Sequence, residues 1–415
     1  MKKFRSFFVV LFEFFTSKRI SRYLITIAIC VACMLAVGSI VPDLWMDVVG
    51  IFFGFLISNL TVGLFAVFFS SFEDGLKVLD DTKKVLSYYP DDDLATTVTL
   101  NGTSCTVAYN PVFINDNYQL VVKDHPEKQF ELDGFLENNY LDLFAAHHRS
   151  AKKNCDTVRV DNCVLDGNVA TFYLSRSTYY HHLITNRAID YLLDDDLTVR
   201  TYFDYGPKLV PLSHSKMSNH AGINGLVYLK DGELLLPKRT GSSTISKNMI
   251  TSSIATMLSL PKCGEITAQY LFKDYILESL VTRARMDKAW IKEEEIEIRF
   301  LGLGQNPYEG GKPQMYYTVR MKNVSKEEYQ KHLVNEPVTT GVIDKDKYMY
   351  IVDPATMRFT KNENLEFVHN HGYLDKKGNV KQKNKRAVVG YEKSFLCNVW
   401  HEQIANGEIP RPTLR

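Results

Sequence analysis

The chain has 415 residues, 49 Lys and Arg against 48 Asp and Glu, a net charge of +1, 23% charged and 45% hydrophobic residues. That length points to two or three structural units, and the balance excludes a disordered polyelectrolyte, a histone-like basic binder and a collagen-like or low-complexity chain. It does not exclude a membrane protein, because nearly all the continuous apolar sequence lies before residue 73.

In chain order, residues 1–22 are basic and aromatic, and 4–15 can form a helix lying on a membrane surface. Two uncharged runs follow, 23–41 and 48–72, joined by Pro42-Asp43-Leu44-Trp45-Met46-Asp47. Each exceeds or approaches the roughly 20 residues that cross a bilayer, so 23–72 is expected to be a pair of transmembrane helices. Lys2, Lys3, Arg5, Lys18, Arg19 and Arg22 precede the first run, whereas the loop holds only Asp43 and Asp47. Positive residues stay inside, which predicts both termini on the cytoplasmic side of a bacterial inner membrane, with the lipid bilayer as a partner. Gly50 and Gly54 have the spacing of close helix approach, and Asn59 places an amide near the bilayer centre. These three are candidates for membrane association and a homo-oligomer, against the alternative of packing within one hairpin. The 7 cysteines are scattered without a disulfide-like framework, as in a reducing compartment. Cys30 and Cys33 fall inside an apolar run and suit helix packing.

Residues 73–94 read as a charged helical linker. From 95 to 204 short alternating runs are separated by Asn101-Gly102 and Asp166-Gly167, which predicts a strand-rich spacer or sensor extension with helices near 138–153 and over 179–193. In 205–365, GINGLVYL and ELLLPKRT flank an Asp231-Gly232 hairpin turn. A strand-like NMITSSIATML follows, then a helix expected over 266–292 and the strands EIRFLGLGQ and QMYYTVRM. The fold class expected is a membrane α-hairpin plus α+β, with a mixed-sheet sandwich carrying a strand-rich N-terminal extension, and 366–415 as a C-terminal extension.

The segment GINGLVYLKDGELLLPKRT, with its Ser-rich strand and a helix ending RARMDKAW, resembles the Nudix family. The family's box needs Gly, five residues, Glu, seven residues, then Arg-Glu-apolar-x-Glu-Glu, whose glutamates hold magnesium against a diphosphate. Aligned on Arg283 this chain keeps one acid of the metal-holding pair, Asp287; aligned on Arg285 it keeps none. Asp274 and Glu278 are out of phase. The resemblance therefore implies a nucleotide-shaped cleft without hydrolysis, and no catalytic residue, metal or cofactor is expected.

Ser213, His214, Ser215, Lys216, Ser218 and Asn219 lead into the first strand of that segment, Lys238 and Arg239 end its second strand, and Arg283 and Arg285 stand where acids would. Guanidinium and hydroxyl groups capture phosphates directly. Gly241-Ser242-Ser243 and Ser252-Ser253 add small donors. Tyr316, with Tyr317, Tyr179 and Tyr180, is a candidate base-stacking ring, with core packing as the alternative. Ser215, Lys216, Ser218, Asn219, Lys238, Arg239, Arg283, Arg285 and Tyr316 form the expected ligand set. His147-His148, His181-His182 and His369-Asn370-His371 read as surface or hydrogen-bonded histidines. Lys376 to Arg386 reads as a solvated basic hairpin or a contact for anionic lipid heads.

The layout resembles the two-transmembrane Nudix effectors of CBASS antiphage systems. That resemblance implies a membrane-anchored effector: a cyclic nucleotide or other phosphorylated ligand binds the cytosolic part and drives clustering and membrane disruption, and no nucleic-acid partner is expected. The alternatives are a membrane-tethered Nudix hydrolase with a non-standard metal site and a pseudo-enzyme scaffold.

Overall fold

The computed structural model describes residues 79–413, apart from 146, 148–153, 194–196, 240–245, 247, 263, 336–347, 376 and 378. The two apolar runs, with Gly50, Gly54 and Asn59, lie outside the described residues.

Asp81 caps α1 (Thr82–Ser87) by accepting from the Lys83 and Lys84 amides. The chain then makes the hairpin β1 (Ala95–Leu100) and β2 (Thr103–Ala108). Its turn needs two left-handed residues, and Asn101 (φ 43°) and Gly102 (φ 79°) supply them. β3 (Asn110–Ile114) leaves this hairpin for a second sheet. β4 (Gln119–Gln129), β5 (Asp156–Asp166) and β6 (Val169–Thr178) form a three-stranded sheet in the order β4-β6-β5. Two short helices, α2 (Gly134–Asn138) and α3 (Tyr140–Ala145), lie between β4 and β5. α4 (Tyr179–Ile184) follows β6, then α5 (Val199–Phe203).

The remaining strands are β7 (Gly222–Tyr228), β8 (Leu234–Lys238), β9 (Ile254–Met257), β10 (Ile296–Asn306), β11 (Lys312–Met321), β12 (Tyr348–Val352), β13 (Arg358–Phe359), β14 (Leu365–Leu374) and β15 (Val380–Val389). With β3 they build a ten-stranded sheet, β13-β14-β12-β8-β7-β11-β10-β3, with β15 on β14 and β9 on β7. β7 and β11 are parallel from Gly222↔Gln314 to Tyr228↔Arg320. β7 and β8 pair at Tyr228↔Leu234 and splay apart where β9 pairs with β7. Ser253 bridges the split: the Val227 amide donates to its hydroxyl at 2.8 Å, and that hydroxyl donates to the Leu235 carbonyl.

One face of the large sheet packs Leu226, Leu236, Leu301 and Tyr316 under Phe395, Leu396 and Trp400 of α8 (Lys393–Ala405). On the other face Ile223, Val227, Met315 and Val319 meet Ile276 and Leu280 of α6 (Tyr275–Thr282) and Val158, Phe172 and Leu174 of the small sheet. α7 (Lys326–Asn335) adds Tyr329 to the same core.

This architecture corrects the expected fold class in two respects. The described residues are a mixed α/β assembly with eight α-helices, and none of those helices is long and apolar enough to cross a membrane. The sandwich is also not a self-contained 205–365 unit with a spacer beside it. Its sheet takes β3 from the N-terminal side through Gly302↔Ile114 to Gln305↔Asn110, and β14 and β15 from beyond residue 364. Phe113, 0% exposed, explains the recruitment: its ring stacks on Phe300 at 6.1 Å and meets Phe172 at 5.9 Å, tying both sheets together.

The helix expected over 266–292 is also shorter. A π-turn over Tyr270–Asp274 leads into α6, which stops at Arg283. Arg285 turns left-handed (φ 57°), and the Met286 amide reaches back to the Leu280 carbonyl at 3.0 Å, which buries Met286. The polar ArgAlaArg stretch thus ends the helix because Ala284 and Met286 are drawn into the core. Of NMITSSIATML only Ile254–Met257 is strand, with Ile250 as an isolated bridge.

Candidate functional site

Polar side chains converge where β7 and β11 begin. The turn from β10 to β11 is Glu309-Gly310-Gly311-Lys312, and both glycines have positive φ (59° and 73°). A Cβ on Gly310 would meet Ile189 Cδ1 at 2.6 Å, so the turn is pressed against the segment after α4 and its flanking charges are buried rather than solvated. Glu309 is 6% and Lys312 5% exposed. Arg187 Nη1 stands 2.8 Å from Glu309, and Lys312 Nζ 3.5 Å from the other carboxylate oxygen. Two cations thus face one carboxylate.

The histidines complete the cluster. His182 of α4 and His220, just before β7, stack with ring centroids 3.5 Å apart. Arg187 Nε donates to His182 Nε2 at 3.1 Å. That hydrogen bond assigns the proton of neutral His182 to Nδ1. Asn186 Nδ2 donates to the Asn219 side-chain oxygen at 3.3 Å and to the Glu309 carbonyl at 2.9 Å. Among the described residues His182 Nδ1, Asn219 Nδ2 and both ring nitrogens of His220 have no hydrogen-bond partner. A buried donor without an acceptor costs about 1–3 kcal/mol. Asn219 is fully buried in a left-handed conformation (φ 45°); backbone strain of that kind clusters at ligand sites. Together these groups offer unused N–H donors beside a net positive charge, which is the chemistry of an anion receptor.

Titration follows the same layout. Burial, reinforced by Arg187, pulls Lys312 down to about 8 against the opposing pull of Glu309 and Glu392. Burial pushes the Glu309 carboxyl up, but Arg187 and Lys312 outweigh it and hold the group below its ordinary value. Burial holds His182 and His220 well below the ordinary histidine value; Lys312 and Arg187 add to this in both, and for His182 so do His220 and His147.

A depressed histidine binds its proton in the unfolded chain first, so stability is present above pH 6.5 and is lost as pH falls toward the folded value. Urea midpoints should therefore fall as pH drops below 6.5, by up to about 1.4 kcal/mol per pH unit for each such histidine, while Lys312, down at about 8, adds a separate rise in stability as pH climbs above 7. His401, pulled down to about 3 by burial, and His369 contribute in the same direction. His220→Asn should reduce the slope; an unchanged profile from pH 6.5 to 5 contradicts this reading.

The expected ligand residues divide among several places. Ser218 and Asn219 are inside the cluster, with the Ser218 hydroxyl 2.8 Å from that of Ser177. Ser215 and exposed Lys216 lead from the surface to it, and the Ser215 carbonyl accepts from Arg159 Nη2 at 3.0 Å. Lys238 and Arg239 come to the same end of the sheet, because β8 runs antiparallel to β7. Arg239 pairs with Glu392 at 2.9 Å, and Glu392 lies within electrostatic reach of Lys312.

Arg283 and Arg285 are at the other end. Tyr329 holds the Ala284 carbonyl at 2.6 Å beside the exit of β11, roughly 20 Å away along a strand of seven residues. They cannot share one phosphate-sized ligand with Asn219. Tyr316 is not a stacking platform: it is 0% exposed, 5.8 Å from Tyr109 and 4.8 Å from the His401 ring. Tyr317 is equally buried, whereas Tyr179 and Tyr180 are half-buried. Gly241, Ser242 and Ser243 lie outside the described residues. Asp287 caps the turn at Lys288–Trp290 by accepting from the Ala289 amide. Among the described residues no three His, Cys, Asp or Glu side chains gather as a metal-binding group.

Sequence reasoning missed Arg187, Asn186, Glu309 and Lys312, and took His182 for an ordinary hydrogen-bonded histidine. The usable signal was Glu-Gly-Gly-Lys between two strongly apolar strands. Neither protein-family models nor curated proteins give a match to this chain.

Proposed function

We propose that the protein is a membrane-associated receptor that takes a phosphate-bearing small molecule, of the cyclic oligonucleotide class, into the Arg187–Lys312–His182–His220 cluster without consuming it. The observation that carries this reading is the set of buried, unpartnered N–H groups on His182, Asn219 and His220 beside two cations that share one carboxylate. A phosphate would supply both the missing acceptors and the missing negative charge. The ligand class rests on the resemblance to CBASS effectors, and the membrane on the uncharged runs 23–41 and 48–72. Ligand drives clustering only as far as it binds the clustered form better than the resting one.

The test is thermal denaturation of the full chain in detergent with cyclic di-AMP, cyclic di-GMP, cyclic GMP-AMP and cyclic triadenylate, each with and without magnesium. One of them should stabilise the protein, by about 2.7 kcal/mol at a hundredfold excess over Kd, with no loss of nucleotide. Lys312→Gln should fold and lose the shift. No shift with any nucleotide, or magnesium-dependent turnover, overturns the proposal.

A further inference from the structure

The outer edge of the ten-stranded sheet is β15. It pairs with β14 along its whole length, from Leu365↔Val389 to Leu374↔Val380, with no break in register. β12 and β13 take the other side of β14, at Val352↔His369 and Arg358↔Glu366. Among the described residues no strand pairs with the outer side of β15, and no backbone hydrogen bond from another element reaches Lys381 to Val389 there. In an antiparallel pair every second residue turns its N–H and C=O away from its partner, so this side carries a row of backbone donors and acceptors. Lys381 to Arg386 are exposed in unbroken succession, on both faces of the strand.

Natural sheets keep edge strands short, interrupt them with proline or a bulge, or place charges on them. β15 is 10 residues long, about twice a usual strand, and has neither proline nor bulge. Charge is its protection. Lys381, Lys383 and Lys385 stand at every second residue and so on one face, about 7 Å apart, and Arg386 stands on the other. The acids nearby are occupied: Glu366 is engaged by Arg358 and Arg386, and Asp375 accepts from the Lys377 and Asn379 amides at 2.8 and 2.9 Å. These charges decide which strand can be added. A second copy of β15 would bring cations and no carboxylate in either register, and like charges opposite one another are destabilising. A strand with an acid at alternate positions would meet the lysines as opposite-charge cross-strand pairs.

We propose that the outer side of β15 is a docking edge for an extended acidic segment of another protein, which adds as a further strand with carboxylates at alternate positions beside Lys381, Lys383 and Lys385. Main-chain hydrogen bonds supply the affinity of such strand addition, and the alternate side chains its selectivity. An anionic bilayer or a nucleic acid would use the lysines and leave the backbone row unpaired. The edge is on β15 and the buried cluster is at the start of β7 and β11, so either proposal can fail alone.

The experiment is fluorescence anisotropy of a labelled peptide of alternating glutamate and threonine, matched to β15 in length, with the full chain in detergent. Amide exchange of the free and bound protein is followed beside it. The peptide should bind, more weakly as salt rises, and should slow exchange at alternate residues of β15. K381Q/K383Q/K385Q should lower affinity roughly three- to a hundredfold, the sum of three opposite-charge cross-strand pairs. K381E/K383E/K385E should instead take the peptide with lysine in place of glutamate. A peptide of the same charge with proline in place of threonine cannot donate to the ladder and should bind about tenfold more weakly or worse. The three lysines are exposed, so unchanged melting is the control for folding. No binding at low salt, equal binding of the proline peptide, or outer amides of β15 that are already slow to exchange in the free protein overturns the proposal. So does lysine-dependent binding of oligothymidylate or phosphatidylserine vesicles without peptide binding.

Discussion

A Glu309→Gln variant should lose about 3–5 kcal/mol of stability, measured as a shift of the urea midpoint at pH 7. The carboxylate is the counter-charge for Arg187 at 2.8 Å and Lys312 at 3.5 Å, in surroundings where Glu309 itself is 6% exposed. An amide of the same shape still accepts hydrogen bonds, so the loss is one of charge. Two buried cations are then left facing one another, and Lys312, already pulled down to about 8, is driven further down because one of the groups raising it is gone. Adding Lys312→Met should recover part of the loss, since removing both partners of a buried pair costs less than removing one. A loss below 1 kcal/mol, or no recovery in the double variant, would show that the two cations are screened from each other.

Arg200→Ala should cost as much, and should also release the first described segment. Arg200 is 1% exposed. It holds both oxygens of Asp190 at 2.5 and 2.9 Å, the Tyr89 hydroxyl at 2.6 Å and the Pro307 carbonyl at 2.9 Å. Tyr89 also donates to Asp204 and belongs to the small core of Val85, Leu94, Ala108, Leu209 and Tyr308. Truncation strands Asp190 and lifts Asp204, whose carboxyl burial already pushes up, still further. Limited proteolysis of the variant should cut within 79–94 before the sheet unfolds. A cut pattern like that of the wild type, with stability within 1 kcal/mol, contradicts this role. In sequence, the segment follows directly on the apolar runs and precedes the proposed receptor.

Much of the local structure was legible in the sequence. Asn101-Gly102, Asp166-Gly167 and Asp231-Gly232 are all hairpin turns, because few other residues take positive φ without strain. The ends of longer elements were not legible. α6 stops at Arg283 because Met286 finds a core contact, a tertiary event that helix periodicity does not encode. Sheet membership was equally hidden: Asn-Pro-Val-Phe-Ile was not among the runs read as strands, and its packing on Phe172 and Phe300 holds it at the edge beside β10.

The candidate site was half legible for a related reason. Ser218 and Asn219 were found from their position before β7. Glu309 and Lys312 were passed over because charges flanking Gly-Gly normally belong to a solvated turn, and here Ile189 covers it. Arg283 and Arg285 misled because sequence alone does not say at which end of a sheet a basic pair comes to rest.

The most direct test of the receptor account is a crystal structure of the full chain with the cyclic oligonucleotide that stabilises it. The account predicts phosphate oxygens within hydrogen-bond distance of Lys312 and at least one of His182 Nδ1, Asn219 Nδ2 and the His220 ring. Phosphates bound instead beside Arg283 and Arg285, with the cluster unchanged, would contradict it.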